Sequence, residues 1–172
     1  MPGFTSWSSA RLGGETLLPV RYLVNIDGAS RGNPGPAAAA MVVQTESGQI
    51  LLTKSKLLGV TTNNVAEWLA LEGAVKALVH LAGKYGPVEA TVRSDSALVV
   101  KQFNGYFKIK DPELKAIAAR VKKMLAACPA LRVNVTYVPR EENRLADQAA
   151  NAALDAPVRQ SCPRPEKRPS GR

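Results

Sequence analysis

Between residues 21 and 82 the hydrophobic period of the chain changes once, and that change restricts the fold more than any other feature. Residues 21–27, 37–44 and 49–57 read as strands, apolar and β-branched runs bounded by turn residues, with "TESGQ" forming a hairpin turn between the last two. Residues 64–82, "NVAEWLALEGAVKALVHLA", then place apolar side chains at 68, 71, 74, 75, 78, 81 and 82, a helical stripe that "GKYGP" ends. Further on, the pattern predicts a strand at 88–93, a short helix at 96–103 opened by Asp95, and a helix from Pro112 to Ala127. A strand at 131–138 and a closing helix at 142–154 follow. No internal repeat is visible. An initial run of strands followed by strands alternating with helices predicts an α/β fold, a mixed sheet with helices packed against it.

A chain of 172 residues, 45% of them hydrophobic, suits one domain with a substantial core. No apolar run reaches the ~18 residues that a membrane span needs. The N-terminus lacks a charged start followed by an apolar block, so no secretory signal is expected. Cys128 and Cys162 have no metal-ligand or CxxC spacing, which favours a reducing compartment. The expectation is a soluble cytoplasmic protein, acting as a monomer and without membrane contact. The net charge of +9 is uneven. Residues 157–172 hold five Arg/Lys against one Glu, together with four prolines. That tail is expected to be disordered or a linker, and it could attract phosphates nonspecifically. Residues 1–20 are expected to form an irregular lead-in, leaving 21–156 as the folded domain.

Four acids stand out, and each alone has an ordinary explanation. Asp27 leads from the first strand into "GASRGNPGP", where an aspartate favours a turn. Glu67 would complete a capping box if Asn64 caps its helix. It also heads the buried stripe 67–71–74–78, where a carboxylate is costly without donors or a cation. Asp95 in "VRSDSALVV" would serve as a helix N-cap. Asp147 shares a helix face with Asn143 and Asn151 and could pair with Arg144. Taken together, two acids close strands expected to be neighbours, and two lie on helices able to pack beside those strand ends. Clustered carboxylates repel one another and need cations. Hard oxygen ligands, few in number, suit Mg²⁺ or Mn²⁺. Spacing alone leads no further than a candidate metal site.

Four motifs in order go further: "DGASRGNPGPA" (27–37), "TTNNVAEWLAL" (61–71), "SDSALVV" (94–100) and "VPREENRLADQAANAAL" (138–154). Together they make residues 22–154 resemble ribonuclease H of type 1, the family that cuts RNA in RNA–DNA hybrids. The resemblance implies a ribonuclease H-like fold, with five strands in a mixed sheet, one antiparallel to the rest, flanked by α-helices. It carries the catalytic and metal-binding acids onto Asp27, Glu67, Asp95 and Asp147. Two ions, Mg²⁺ or Mn²⁺, are implied, with Asp27 shared between them. Asp27 and Asp147 would hold the ion that activates water, and Asp27, Glu67 and Asp95 the ion at the leaving 3′ oxygen. The products would carry 5′-phosphate and 3′-hydroxyl ends. Asn33, Asn63 and Asn64 match positions that read the minor groove and its 2′-hydroxyls, which distinguish RNA from DNA. Thr62 matches a position that grips a phosphate of the DNA strand.

The chain departs from the family pattern in three places. The loop before the last helix, "VPREEN", has no histidine where many relatives carry one, and Arg140 or Glu141 is the candidate replacement, Arg140 being preferred. The single histidine, His80, lies late in the long helix and is expected to be structural or superficial. The stretch "NGYFKIKDPELKAIAARVKKML" is too short for the basic helix-loop handle of some relatives, although Lys108, Lys110, Lys115, Lys122 and Lys123 could supply part of its charge. Ala97 stands where many relatives have Gln, which predicts one groove contact fewer. Rival readings are a nuclease of the same fold with wider substrates, including double-stranded RNA, and a non-catalytic binding module. An aspartyl phosphatase would want an acid at residue 25, which is Asn, and no Gly-Lys-Ser/Thr follows the glycine-rich loop.

Overall fold

The structure is a computed structural model that describes residues 11–12, 15–16 and 18–156. Strands β1 (Arg11–Leu12) and β2 (Glu15–Thr16) pair antiparallel with each other. The rest of the lead-in and the basic segment 157–172 lie outside the described residues. The main sheet contains β3 (Val20–Ser30), β4 (Gly35–Thr45), β5 (Ile50–Thr61), β6 (Val88–Ser94) and β7 (Leu131–Tyr137). Its order is β5-β4-β3-β6-β7. β4 runs antiparallel to both β3 and β5, while β6 and β7 are parallel to β3, so β4 alone opposes the other four. This is the mixed ribonuclease H-like sheet that the motifs imply.

Helices α1 (Asn63–Tyr85), α2 (Ala97–Phe103), α3 (Pro112–Ala126) and α4 (Arg144–Asp155) complete the fold. Successive side chains of a strand point to opposite faces, and β3 separates two layers in this way. Val24 and Ile26 join Trp68, Leu71, Val75 and Leu78 of α1 in the main core, which continues into Ile117 and Val121 of α3. Asn25, of the other parity, bonds to Asn143 at the start of α4. α4 lies against β3, β4 and β5, where Ala38, Ala40, Ala146 and Ala150 are buried. Small side chains on both partners let this helix sit close to the sheet.

Two helix starts differ from the sequence expectation. Thr62, not Asn64, caps α1, its Oγ1 accepting from Val65 N at 3.3 Å. Glu67 is therefore the fifth helical residue and belongs to no capping box. Ser96, not Asp95, caps α2, its Oγ accepting from Val99 N at 3.4 Å. In both cases the cap is a hydroxyl, and the acid is left for other work. β3, β4 and β5 run longer than expected, β3 continuing past Asp27 to Ser30 while paired with β4, whereas β7 stops one residue earlier, at Tyr137. α4 begins at Arg144, after a 3₁₀ turn at Arg140–Glu142.

Candidate active site

β3 and β6 are adjacent and parallel, so Asp27 near the end of one and Asp95 just beyond the other emerge side by side. The carboxyl ends of parallel strands are where sheets of this kind present ligand sites. Gly28 brings the third acid to the same place. A Cβ on Gly28 would lie 2.2 Å from the Glu67 amide nitrogen and 2.4 Å from the Ala66 carbonyl carbon. Only hydrogen at that position lets the second turn of α1 rest on β3, which turns Glu67 towards Asp27.

Asp27, Glu67 and Asp95 each offer a carboxylate oxygen within 4.8 Å of the other two. Asp27 and Glu67 are both only 5% exposed. Burial first, and then the charges of Asp95 and Asp147, push Asp27 up to about 7, against the lowering effects of Arg140 and the Gly28 N–H. Glu67 is pushed well above the usual carboxylate range by burial, then by Asp27 and Asp95. Among the described residues, Glu67 Oε2 is buried with no hydrogen-bond partner. A buried carboxylate with a donorless oxygen, grouped with two more carboxylates, is the arrangement that a hard cation relieves.

Asp147 stands beside this group of three rather than within it. Its charge reaches Asp27, but its Oδ1 accepts from Arg140 Nη2 at 2.8 Å. The expected partner was Arg144, three residues earlier. The 3₁₀ turn instead folds Arg140 back over the first turn of α4. Arg140 is 73% exposed at its side chain, so the pair sits at the mouth of the cluster.

The polar residues expected to read substrate form a rim on α1 and the loop before β4. Asn33 Oδ1 accepts from Asn63 N at 3.1 Å, joining loop to helix, and Asn33, Asn63 and Asn64 are all exposed. Thr62 is half-buried and its hydroxyl is occupied as the α1 cap. His80 is exposed on α1, about 20 Å along the helix from Glu67 at 1.5 Å per residue, and remote from the acids.

A family profile described as reverse transcriptase-like matches residues 25–153. Ribonuclease HI of Halobacterium salinarum is 40% identical over 129 residues, covering 75% of this chain and 62% of that protein. The crystal structure of the Halobacterium salinarum RNase H1 superposes with a TM-score of 0.70 at 39% identity, over 78% of this chain and 98% of that one. This chain belongs to the type 1 ribonuclease H family.

A second relative is a Mycobacterium tuberculosis protein described as bifunctional. It is 40% identical over 138 residues, covering 80% of this chain and 36% of that protein. Its N-terminal RNase H domain, solved as a maltose-binding-protein fusion, gives a TM-score of 0.70 at 38% identity, over 79% and 94% of the two chains. LC11-RNase H1, isolated from compost by metagenomics and solved in complex with an RNA/DNA hybrid, gives 0.74 at 37% identity, over 78% and 96%. The chain thus spans 36% of the mycobacterial relative and 62% of the Halobacterium one.

Within this ribonuclease H domain, two features were not foreseen from sequence. Asn143 and Asn25 form a buried amide pair beneath the acids. Asn25 carried a weak signal, a polar residue inside an apolar strand. Glu72 is also buried, held by Arg120 of α3 through two bonds of 3.0 and 2.8 Å and by Lys76 at 2.8 Å. Those cations hold Glu72 down at about 2, the hydrogen bond from Arg120 contributing most. Buried acids therefore occur in two kinds here: Glu72 has cations supplied by the fold, whereas Glu67 has no ion-pair partner among the described residues.

Proposed function

We propose that this chain is a metal-dependent endoribonuclease that hydrolyses the RNA strand of RNA–DNA hybrids, with residues 21–156 as the nuclease domain. The observation that carries the proposal is the group of three carboxylates with a buried, donorless oxygen on Glu67. Asp27, Glu67 and Asp95 would hold one divalent ion, and Asp27 with Asp147 a second, each Mg²⁺ or Mn²⁺. With ions bound, such a site supplies an activated water on one side of the phosphodiester and charge neutralisation at the leaving 3′ oxygen on the other.

The chain's own residues do the rest. Asp27, central to the cluster, fixes the spacing of the carboxylates on a strand held on both sides by the sheet. Asn33, Asn63 and Asn64 offer side-chain amides at the rim for the 2′-hydroxyls and minor-groove edges of the hybrid. Thr62 and the positive end of the α1 dipole would lie towards a backbone phosphate. Arg140, anchored on Asp147 yet exposed, takes the place of the loop histidine as a cation that meets the product phosphate. All four acids come from one copy, so a monomer suffices. The substrate seen with LC11-RNase H1 is the one proposed here, and double-stranded RNA is the alternative.

Labelled RNA–DNA hybrid, double-stranded RNA and double-stranded DNA, each incubated with protein plus Mg²⁺ or Mn²⁺, provide the test. Cleavage of the hybrid to 5′-phosphate and 3′-hydroxyl ends is expected, with chelator abolishing it. Asp27→Asn should lower the rate by more than about 100-fold while leaving the fold intact, since even partners of metal ligands cost 10–100-fold. An uncut hybrid with either ion refutes the proposal, and double-stranded RNA cut faster than hybrid would favour the alternative.

A further inference from the structure

Asn143, wholly buried, touches the segments that carry three of the four acids. Its Nδ2 donates to Asp95 Oδ1 at 2.9 Å and to the Ile26 carbonyl at 2.8 Å, one peptide before Asp27. Its main-chain carbonyl accepts the N–H of Asp147 at 3.1 Å. A side-chain amide has a donor end and an acceptor end, and turning it over exchanges them. If Asn143 turned over, its oxygen would face the Asp95 carboxylate and the Ile26 carbonyl, two acceptors against an acceptor. What opposes this is Asn25, whose Nδ2 donates to Asn143 Oδ1 at 2.9 Å. The same Nδ2 reaches the Glu142 carbonyl at 3.3 Å, which can only accept and so fixes Asn25 in turn. The chain of donors runs one way, from β3 through α4 to Asp95.

We propose that Asn25 is a positioning residue for the acid cluster: it sets the orientation of the Asn143 amide, and Asn143 then holds Asp95 and the start of α4 in register with Asp27. The pair fixes the Asp95 carboxylate and the Asp147 backbone before any ion arrives, so that less ordering remains for ion binding. Neither residue touches substrate. The inference rests on the ion-dependent activity proposed above and adds the part of the fold that pre-arranges its ligands. A pair that merely filled a polar gap between α4 and the sheet would affect melting alone.

Two measurements test this. In the intact chain, a Mg²⁺ titration followed by the side-chain amide NMR signals should move the Asn143 Nδ2 resonance. The midpoint should match that from titration calorimetry with Mg²⁺, and an unmoved resonance overturns the inference. In the Asn25→Leu variant, which lacks the donor at similar volume, Mn²⁺ affinity by calorimetry should fall by roughly 5-fold or more. The kcat on hybrid should fall by about 10-fold, with KM within about twofold. A variant that melts lower yet keeps its Mn²⁺ affinity and kcat shows a structural role only and sinks the proposal. Should Asn25→Leu not fold, the wild-type amide titration decides by itself. A wild-type chain that shows the amide shift but cuts no hybrid refutes the activity and sustains the positioning, so the two failures are distinguishable.

Discussion

Asp27 and Glu67 are acids that the fold alone handles badly, and this has a measurable sign. Burial and mutual repulsion raise both, Asp27 to about 7. A group raised in the folded state lends stability that is complete below its unfolded value, near 4, and is lost as pH rises through the folded value. For Asp27 the loss amounts to roughly 4 kcal/mol at ~1.4 kcal/mol per unit, an upper figure because the acids titrate together. In chelator, the melting temperature should therefore fall between pH 5 and pH 8. Added Mn²⁺ should restore it, and by more at the higher pH, because the ion binds the charged form. Asp27→Asn should flatten the dependence. A melting temperature in chelator that is level across this range would contradict the account. That Asp27, Glu67 and Asp95 would come together was legible in sequence, because the family motifs surround them. The acids' immediate partners were not. The pairing of Asp147 with Arg140 rather than Arg144 depends on a 3₁₀ turn that no periodicity announces. The Asn25–Asn143 bond joins residues 118 positions apart, and the weak signal of a polar Asn25 in an apolar strand does not name its partner.

At the scale of elements, the strands and helices follow from period and composition, since long apolar stripes and β-branched runs leave few alternatives, whereas the five-stranded mixed arrangement was implied by the family motifs and the strand order comes from the structure. The helix starts were misread because several polar residues compete for each cap: "TTNN" offers four candidates, and only backbone geometry selects Thr62. The junction of β3 and α1 shows how such details reach function. Gly28→Ala would place a methyl inside the second turn of α1, against main-chain atoms that cannot step aside. Moving the helix should cost about 1–3 kcal/mol, typical of forced overpacking. It should also cost hybrid cleavage about 10-fold or more, because Glu67 moves with the helix. Melting and single-turnover rates measured together check this, and full activity in Gly28→Ala would mean that the close approach does not set the position of Glu67. The α1–α3 contact offers a second test at this scale. Arg120→Ala leaves Glu72 buried with only Lys76, an expected loss of about 1–2 kcal/mol at pH 7 by denaturant unfolding. Glu72 is held down at about 2, so its contribution is present above its unfolded value and disappears as pH falls towards 2. The difference between variant and parent should shrink in acid, and an equal difference at pH 3 and pH 7 would assign the effect to lost packing of Arg120 instead.

For the molecule as a whole, charge would decide how it meets the proposed substrate, a polyanion. The acids in the site are the wrong sign for a nucleic acid, so approach must be driven by cations elsewhere. Of the net charge of +9, +4 comes from residues 157–172, where Arg159, Arg164, Lys167, Arg168 and Arg172 are counted against Glu166 alone. Within the folded part, Lys108 and Lys110 are exposed between α2 and α3, beside exposed Tyr106 and Phe107, and Lys101 lies 4.9 Å from the Phe107 ring. That stretch gives a shorter basic surface than a full handle, with no helix between α2 and α3 among the described residues. Cations that neutralise phosphates release counterions, and the logarithm of affinity then falls with the logarithm of salt at about 0.9 per phosphate for a duplex. If the tail makes such contacts, removing 157–172 should weaken hybrid binding at low salt by about 10-fold or more and make the salt slope shallower by roughly 2–4. The rate at saturating hybrid should stay the same, because none of the four acids is touched. Binding measured at several salt concentrations separates the outcomes. An unchanged slope would place the electrostatic work on the folded domain, and a fall in the saturated rate would mean that the segment bears on the active site itself.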